Sequence, residues 1–553
     1  MSITSVHAAA FLLASAGLIS RLLGLVRNRL LAAHFGAGRE LDIYFAAFQI
    51  PDFISTLFLL GAGSAAIVPV FQEYLKKDNN RAHDLISRLH SNFFIISMLF
   101  GAIIFFFVPV IIQFMVPGFS DAQRHTTAML TRIMLLSPIL LGLSSILSSV
   151  VQSFQRFLAY ALAPIFYNIG IIIGIIFFVP LFGIAGLGGG VVLGACMHWS
   201  IQWFAITSIG MRPRFLIGDA NDGVKKVFRL SLPRVISLSL TQVTVIGLTV
   251  LGSTLHAGSI SIFELSQDLY FLPIALIGVS YSVVIFPRLH HAFLDKNGTL
   301  FYQNLFIGIR TIIFWIAPTI TLFIVLRAHI VRVALGAGKF SWEDTRLTAA
   351  SLAILSLAMI AGCIAPLLIK AFYAIENTWT PLRINIFSSI FSIGSTVLFS
   401  YLLRMPTSFT SFVRSLFRIT DLASIDTLSL AIGFVAGLIL DTILLSFALH
   451  RATRVAFHTR ILFPSWSICC MILAACFAGI GAYMVRLSFT QAIPLITLLG
   501  VLIQGFIAGI VGFLLYILIL IVLKNEDVAG IWKTCTRQLI TLHVLPRSWD
   551  GEM

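Results

Sequence analysis

The amino-acid sequence predicts an all-α, polytopic membrane protein with fourteen transmembrane helices, arranged as two pseudo-symmetric six-helix lobes plus two C-terminal helices. Three observations carry that prediction. Of 553 residues, 58% are hydrophobic and only 11% charged, with a mean hydropathy of +0.99, which excludes a water-soluble globule. Apolar runs of about 20 residues, the length that a bilayer core of about 30 Å demands, recur along the whole chain. The connections between them are mostly short and carry unequal positive charge.

The runs fall at 8–33, 42–74, 92–116, 130–152, 159–180, 185–208, 232–253, 264–287, 303–326, 348–369, 384–403, 426–449, 462–485 and 492–523. No Lys or Arg precedes the uncharged opening stretch of the first run, from about Ala8 to Ile19, and three arginines follow that stretch, the reverse of a secretion signal, so it is expected to stay as a membrane segment. An even count puts both termini on one side. The even-numbered connections and the C-terminal tail hold 21 Lys and Arg, including Lys76, Lys77, Arg212 and Arg451, against 10 in the odd-numbered loops, so both termini are expected to be cytoplasmic.

Within this frame the predicted organisation is an N-lobe over 1–215 (helices 1 to 6), a C-lobe over 216–455 (helices 7 to 12), helices 13 and 14 over 456–525, and a cytoplasmic tail over 526–553. Two internal echoes motivate the repeat. An offset of 218 residues superimposes Phe45 on Phe263, Ser64 on Ser282 and Pro69 on Pro287. The stretch 151–168 (VQSFQRFLAYALAPIFYN) also reads like 369–385 (IKAFYAIENTWTPLRIN), each with an aromatic and a basic residue shortly before a proline that opens a helix.

Composition and motifs also narrow function. The 37 Lys and Arg against 22 Asp and Glu would suit nucleic acid or an anionic membrane face, and the hydropathy selects the membrane. Six cysteines show no metal-ligand spacing and are assigned no chemistry. Only the connections at 209–231, 327–347 and 404–425 have any length, leaving no room for a soluble catalytic domain. There is no paired-carboxylate motif and no nucleotide-binding loop; Gly36, Gly38, Gly61 and Gly63 read as turn and packing glycines. The expectation is a transporter, not an enzyme, needing no cofactor and no nucleic acid.

Charges inside the apolar runs point to where it acts. Arg21, Arg27 and Arg29 share the first run, where each guanidinium costs at least ~2.5 kcal/mol near the bilayer centre. On a straight helix Arg29 lies about 80° from Arg21 and Arg27 about 120° the other way, so they share no face. A break at Gly17 or Gly24 is expected to turn all three towards a water-filled cavity; the alternative is snorkelling to the outer interface. Asp42 reads as a carboxylate beside that cluster or as a helix cap, and Asp52 sits deeper. Gln242, Asp268, Lys370 and Asp441 are isolated in apolar surroundings, and Asp268 and Asp441 are candidates for coupling to a cation or proton. Arg132, Arg234 and Arg310 lie near span ends and are expected to snorkel.

The stretch from Ser20 to Tyr74 resembles the opening of the MurJ (MviN) family of lipid II flippases, in the multidrug/oligosaccharidyl-lipid/polysaccharide (MOP) exporter superfamily. The family's Ser-Arg-x-x-Gly-x-x-Arg string is met by Ser20, Arg21, Gly24 and Arg27, its Phe-Gly-Ala-Gly turn by Phe35 to Gly38, and its Asp-x-x-Phe-x-Ala-Phe by Asp42, Phe45, Ala47 and Phe48. Gly61, Ala62, Ser64 and Pro69 meet a Gly-Ala-x-Ser-x-x-x-x-Pro ending, and Lys370 to Pro381 (KAFYAIENTWTP) resembles a later family string. The resemblance implies a flippase of the bacterial inner membrane that moves undecaprenyl-pyrophosphate-linked peptidoglycan precursor to the outer leaflet by alternating access, for cell-wall synthesis. It implies Arg21 and Arg27 as head-group ligands with Asp42 as their polar neighbour, a polyprenyl tail lying beside the last two helices, and lipid II, membrane lipids and cell-wall synthesis proteins as partners. A cation gradient or the membrane potential is the expected drive.

The chain also departs from the family. Asp52, Ser55 and Thr56 stand where an Asn and paired arginines are common, and Leu59 and Leu60 replace an Ala-Glu pair before Gly61. Gln267 or Asp268 occupies the place of a basic residue in the eighth helix, Arg29 adds a charge the family lacks, and the eleventh helix offers Ser388, Ser389, Ser392, Ser395 and Thr396 instead of a carboxylate. Two other readings stand beside this one. An ion-coupled exporter of cationic drugs, or of another lipid-linked oligosaccharide, belongs to the same superfamily, and a non-transporting scaffold for cell-wall synthesis would use the helices to bind partner proteins.

Overall fold

In hydrocarbon every backbone N–H and C=O must be bonded within its own segment, so the apolar runs have little choice but helix. A computed structural model describes residues 6–61, 64–216, 222–457, 465–489 and 497–528, and helix dominates them. In chain order the helices are α1 (Val6–Phe35), α2 (Arg39–Gly61), α3 (Ser64–Lys77), α4 (Asn79–Met115), α5 (Asp121–Met134), α6 (Leu136–Ser153), α7 (Phe157–Ile173), α8 (Val179–Phe182), α9 (Ala185–Thr207) and α10 (Asp222–Ser253). They continue as α11 (Ser259–Ile274), α12 (Ser280–Leu294), α13 (Gly298–Leu335), α14 (Trp342–Leu357), α15 (Met359–Ala374), α16 (Trp379–Arg404), α17 (Ser408–Phe417), α18 (Leu428–Phe457), α19 (Ser465–Phe489) and α20 (Leu498–Val522). Each of the fourteen sequence runs overlaps one of these helices or two in succession, α7 and α8 being joined by a π-helical stretch over Gly174–Phe178 and α11 and α12 by one over Ala275–Val279. Among the described residues, ten helical stretches are long and apolar enough to cross a membrane, and α14 with α15, bent by 45°, makes an eleventh. The chain is a multi-pass membrane protein.

Backbone contacts divide it into two units: Met1–Glu264 with Ala334–Asp344 and Leu422–Leu430, and Leu265–Val333 with Thr345–Asp421 and Ala431–Met553. The repeat seen in the sequence has a local structural counterpart. The turn from α6 to α7 places Gln155 at φ 56°, with its N–H on Gln152 O and the Arg156 N–H on Val151 O. The turn from α15 to α16 does the same with Glu376 at φ 60°, bonded to Tyr373 O, and Asn377 bonded to Phe372 O. One C-capping geometry, with a single left-handed residue, ends both helices.

One expectation fails. Helix α1 runs without interruption through Gly17 and Gly24, so no break reorients its arginines. A glycine inside a helix costs only about 1 kcal/mol, less than freeing backbone groups in apolar surroundings.

In the first unit, α7 and α9 meet backbone to backbone across glycines. A Cβ on Gly170 would lie 2.3 Å from Gly194 Cα, one on Gly190 2.8 Å from Gly174 Cα, and one on Gly194 2.4 Å from Tyr167 O. Small residues at a helix seam let backbones approach where lipid offers no hydrophobic drive to association. We expect Gly194→Val to force this seam apart and destabilise the protein by roughly 1–3 kcal/mol, read as a lowered midpoint in detergent thermal unfolding; an unchanged midpoint would show that the seam yields.

Candidate functional site

The N-terminal unit encloses a cavity of about 750 Å³ between α1, α6, α7 and α9. Ser20 and Arg21 of α1, Ser148 and Gln152 of α6, and His198 and Gln202 of α9 supply much of its polar wall, and no carboxylate lines it among the described residues. Each pair on α6 or α9 is spaced four residues apart, which stacks it on one helix face. Gln202 Nε2 donates to Ala159 O at 3.1 Å, and Ser144 Oγ lies 2.7 Å from His198 Nδ1, so both side chains are held in place. Arg21 is half-buried and has neither a hydrogen bond nor an ion pair among the described residues. A guanidinium presents five N–H donors in a fixed fork, and here that fork faces neutral polar groups and open volume. The cavity therefore suits an anion.

The other two arginines of α1 do not line it. Arg27 Nη1 donates to Asn168 Oδ1 at 3.3 Å and its Nε to Asn28 Oδ1 at 3.1 Å. Asn168 of α7, nearly buried, donates through Nδ2 to Ser20 Oγ at 3.2 Å and to Pro164 O at 3.1 Å, so a polar chain runs from Arg27 to the rim of the Arg21 cavity. Arg29 Nη2 reaches the carbonyl of Gly336 at 3.1 Å. The three guanidiniums thus diverge, as a continuous helix requires.

Asp42 is likewise placed otherwise than expected. It is 0% exposed and is not beside Arg21 or Arg27. Its Oδ2 accepts the Gly258 N–H at 2.7 Å, and its Oδ1 accepts both the Ser261 N–H and hydroxyl, at 2.8 and 2.7 Å. It therefore caps α11, not its own helix, and satisfies N-terminal amide groups that would otherwise be orphaned. The cationic neighbour is Arg39, with Nη1 3.7 Å away. Gly258 is required here: its φ is +90° and a Cβ would lie 1.9 Å from Ala37 O. Further ties hold the same region: the Lys339 N–H donates to Ala33 O at 2.8 Å, and Gln49 Nε2 to Glu264 Oε1 at 2.9 Å. Asp52 accepts Gln242 Nε2 at 2.8 Å, joining two residues that look isolated in the sequence.

Of the two candidate coupling carboxylates, both in the second unit, Asp268 is exposed on α11 and Asp441 is 5% exposed on α18. Asp441 faces Ser388 of α16, and Gly437, one turn earlier, packs against Ser392. Asp441 Oδ1, Ser388 Oγ and Asn385 Oδ1 are buried without a hydrogen-bond partner among the described residues. Arg310, expected to snorkel, instead bonds Asp527 at 2.8 and 3.1 Å, because a carboxylate is within reach. Arg132 turns back to Phe105 O at 3.1 Å, and the side chain of Arg234 lies outside the described residues. Sequence reading missed His198, Gln202, Ser148 and Gln152, although polar residues four apart in apolar helices were a usable signal.

A helical bundle of many apolar spans, with a polar cavity whose described lining carries a guanidinium and no carboxylate, defines a class: polytopic membrane proteins. The chain belongs to the lipid II flippase MurJ family, whose profile matches residues 31–503. The probable lipid II flippase MurJ of Buchnera aphidicola subsp. Acyrthosiphon pisum is 31% identical over 382 residues, covering 67% of this chain and 74% of that protein. The Vibrio cholerae protein of the same description is 26% identical over 419 residues, covering 72% and 79%. A solved structure of lipid II flippase MurJ in an inward closed conformation shares the fold, with a TM-score of 0.73 and 23% identity over 94% of this chain and 100% of that one. An inward-facing multidrug resistance MATE family transporter of the MOP superfamily aligns with a TM-score of 0.64 and 14% identity, covering 82% of this chain and 100% of its own.

Removing the Asp42 carboxylate would strand three donors, each worth roughly 1–3 kcal/mol when buried and unmade. We expect Asp42→Ala to loosen residues 33–42 from 256–264, read as faster maleimide labelling of a reporter Ala37→Cys; equal labelling rates would mean that the cap does not hold this region.

Proposed function

We propose that this protein carries lipid II, the undecaprenyl-pyrophosphate-linked peptidoglycan precursor, from the cytoplasmic to the outer leaflet of the bacterial inner membrane, with both termini in the cytoplasm. Family membership supports the cargo class, and the single structural observation that carries the reading is Arg21, which among the described residues is unpartnered and faces a polar cavity without acid groups. A diphosphate cannot cross hydrocarbon bare, and guanidinium binds phosphate oxygens through forked, charge-assisted hydrogen bonds. Arg21 offers such a fork outright. Arg27 spends one N–H on Asn168, and the Asn168 amide leads to Ser20 at the cavity rim, so a phosphate drawn to Arg21 lies near both. A cationic drug would want the opposite wall, and none of the cavity's lining residues is acidic.

Alternating access requires that one end of the path be shut while the other is open. Asp42, with its bonds to Gly258 and Ser261, is the tie that must break when the end it holds opens, and its three short hydrogen bonds set the cost.

Coupling to a cation or proton belongs to the same proposal. Asp441, buried against Ser388, has an oxygen without a partner among the described residues and offers, with the Ser388 hydroxyl, hard oxygen donors of the kind that sodium or a proton satisfies. Exposed Asp268 has no such enclosure.

Complementation of a bacterium depleted of its lipid II flippase tests the cargo. We expect the native chain to restore growth, and Arg21→Ala to lower the rate of lipid II arrival at the outer leaflet roughly ten- to a hundredfold, the equivalent of losing about 1.5–3 kcal/mol of charge-assisted bonding, with Arg21→Lys intermediate. Failure of a well-inserted native chain would refute the cargo. For coupling, we expect Asp441→Asn to leave lipid binding intact while abolishing any dependence of transport on the cation gradient; retained dependence would exclude Asp441.

A further inference from the structure

A second cavity, of about 440 Å³, opens on the other side of the first unit, between α4 and α5. It takes no part in the Arg21 site. Arg124, His125, Met129 and Arg132 of α5 line one wall, and Phe105 and Pro109 of α4 the other. The residues on α5 recur over eight positions, about 12 Å at 1.5 Å per residue, forming a groove along the helix. The α4 surface around it faces lipid: Phe105 is 43% exposed, Phe106 76%, Val110 51% and Phe114 74%.

The groove has two chemically distinct parts. Towards the loop, Arg124 is spent: its Nε and Nη2 bond the carbonyls of Val116 and Pro117 at 3.4 and 2.6 Å, and its Nη1 bonds Asp121, which is 99% exposed. Arg132 is not. Its Nε donates to Phe105 O at 3.1 Å and its guanidinium stacks 4.9 Å over the Phe105 ring, leaving both Nη groups without a partner among the described residues. His125 is exposed and also without a partner among them. The remaining wall, Phe105, Pro109 and Met129, is apolar and continuous with the lipid-facing surface of α4.

The free Nη donors of Arg132 beside an apolar trough joined to the bilayer are complementary to one molecule type: an amphiphile with a phosphate head and an acyl chain. We propose that this groove is a binding site for an anionic glycerophospholipid, its phosphate on Arg132 and one acyl chain against Phe105, Pro109 and Met129, with His125 about 10 Å nearer the loop adding a further donor at the groove's mouth. The site lies on the face carrying residues 117–129, which the charge asymmetry of the loops makes the extracytoplasmic one. A zwitterionic phospholipid carries the same phosphate beside a cationic amine that Arg132 repels, so the site discriminates by net head-group charge.

Native mass spectrometry of the full chain released from mixed micelles, titrated with phosphatidylglycerol or phosphatidylcholine, tests this. We expect phosphatidylglycerol to be retained at least about fivefold better, a difference of roughly 1 kcal/mol for one exposed charge-assisted contact. Arg132→Gln with His125→Asn should abolish that preference. Met129→Trp, which fills the trough and keeps every charge, should reduce retention of both lipids. Inorganic phosphate at millimolar concentration separates the sources: displacement of phosphatidylglycerol by it would show that the head alone is recognised and overturn the lipid assignment. Equal retention of the two lipids by the native chain, or an unchanged preference in the double variant, would overturn the proposal outright.

Discussion

A guanidinium inside an apolar helix must find carbonyls, water or an anion, and much of the first unit is shaped by how Arg21, Arg27 and Arg29 meet that demand separately. Arg29 takes a backbone carbonyl at Gly336 and becomes a tie between segments distant in sequence. Arg27 takes Asn168, which takes Ser20, and so stitches α1 to α7. Arg21 takes nothing from the described residues and faces a cavity instead, so of the three it is the charge that they leave unneutralised.

The carboxylates follow the same economy with the opposite sign. Asp42 is tolerable at 0% exposure because backbone and hydroxyl donors of α11 surround it, and the arrangement works only because Gly258 lets the chain pass within contact of Ala37. Asp52 is met by Gln242. Asp441 is buried against Ser388 with its Oδ1 lacking a partner among the described residues, unlike Asp42 and Asp52. Buried polar groups in this protein are thus separable by their partners, not by burial alone.

The charges further along the same unit are met in another way: Asp52 accepts the Gln242 amide. Meanwhile α6 and α9 contribute Ser148, Gln152, His198 and Gln202 opposite Arg21, a wall of neutral dipoles that leaves the single cation uncompensated. A site can lose charges and keep its preference for anions when no acid competes for those that remain.

Hydropathy, period and loop charge are properties of the chain in order, so they were enough for the helical class, the fourteen runs, the two echoes and the family strings. The echo near residues 155 and 376 even marked two turns with the same left-handed cap. Partners are another matter. Whether Arg21, Arg27 and Arg29 share a face depended on α1 staying straight, and their acceptors, Asn168 and Gly336, stand 141 and 307 residues away. Asp42 looked like the cap of its own helix or a neighbour of the arginines, and packing made it the cap of another, because a carboxylate satisfies whichever amide groups the fold brings to it. The sequence alone determined which residues were too polar for a membrane; only the tertiary structure decided which were satisfied and which remained available, since a hydrogen bond is set by distance in space and no periodicity along the chain encodes it.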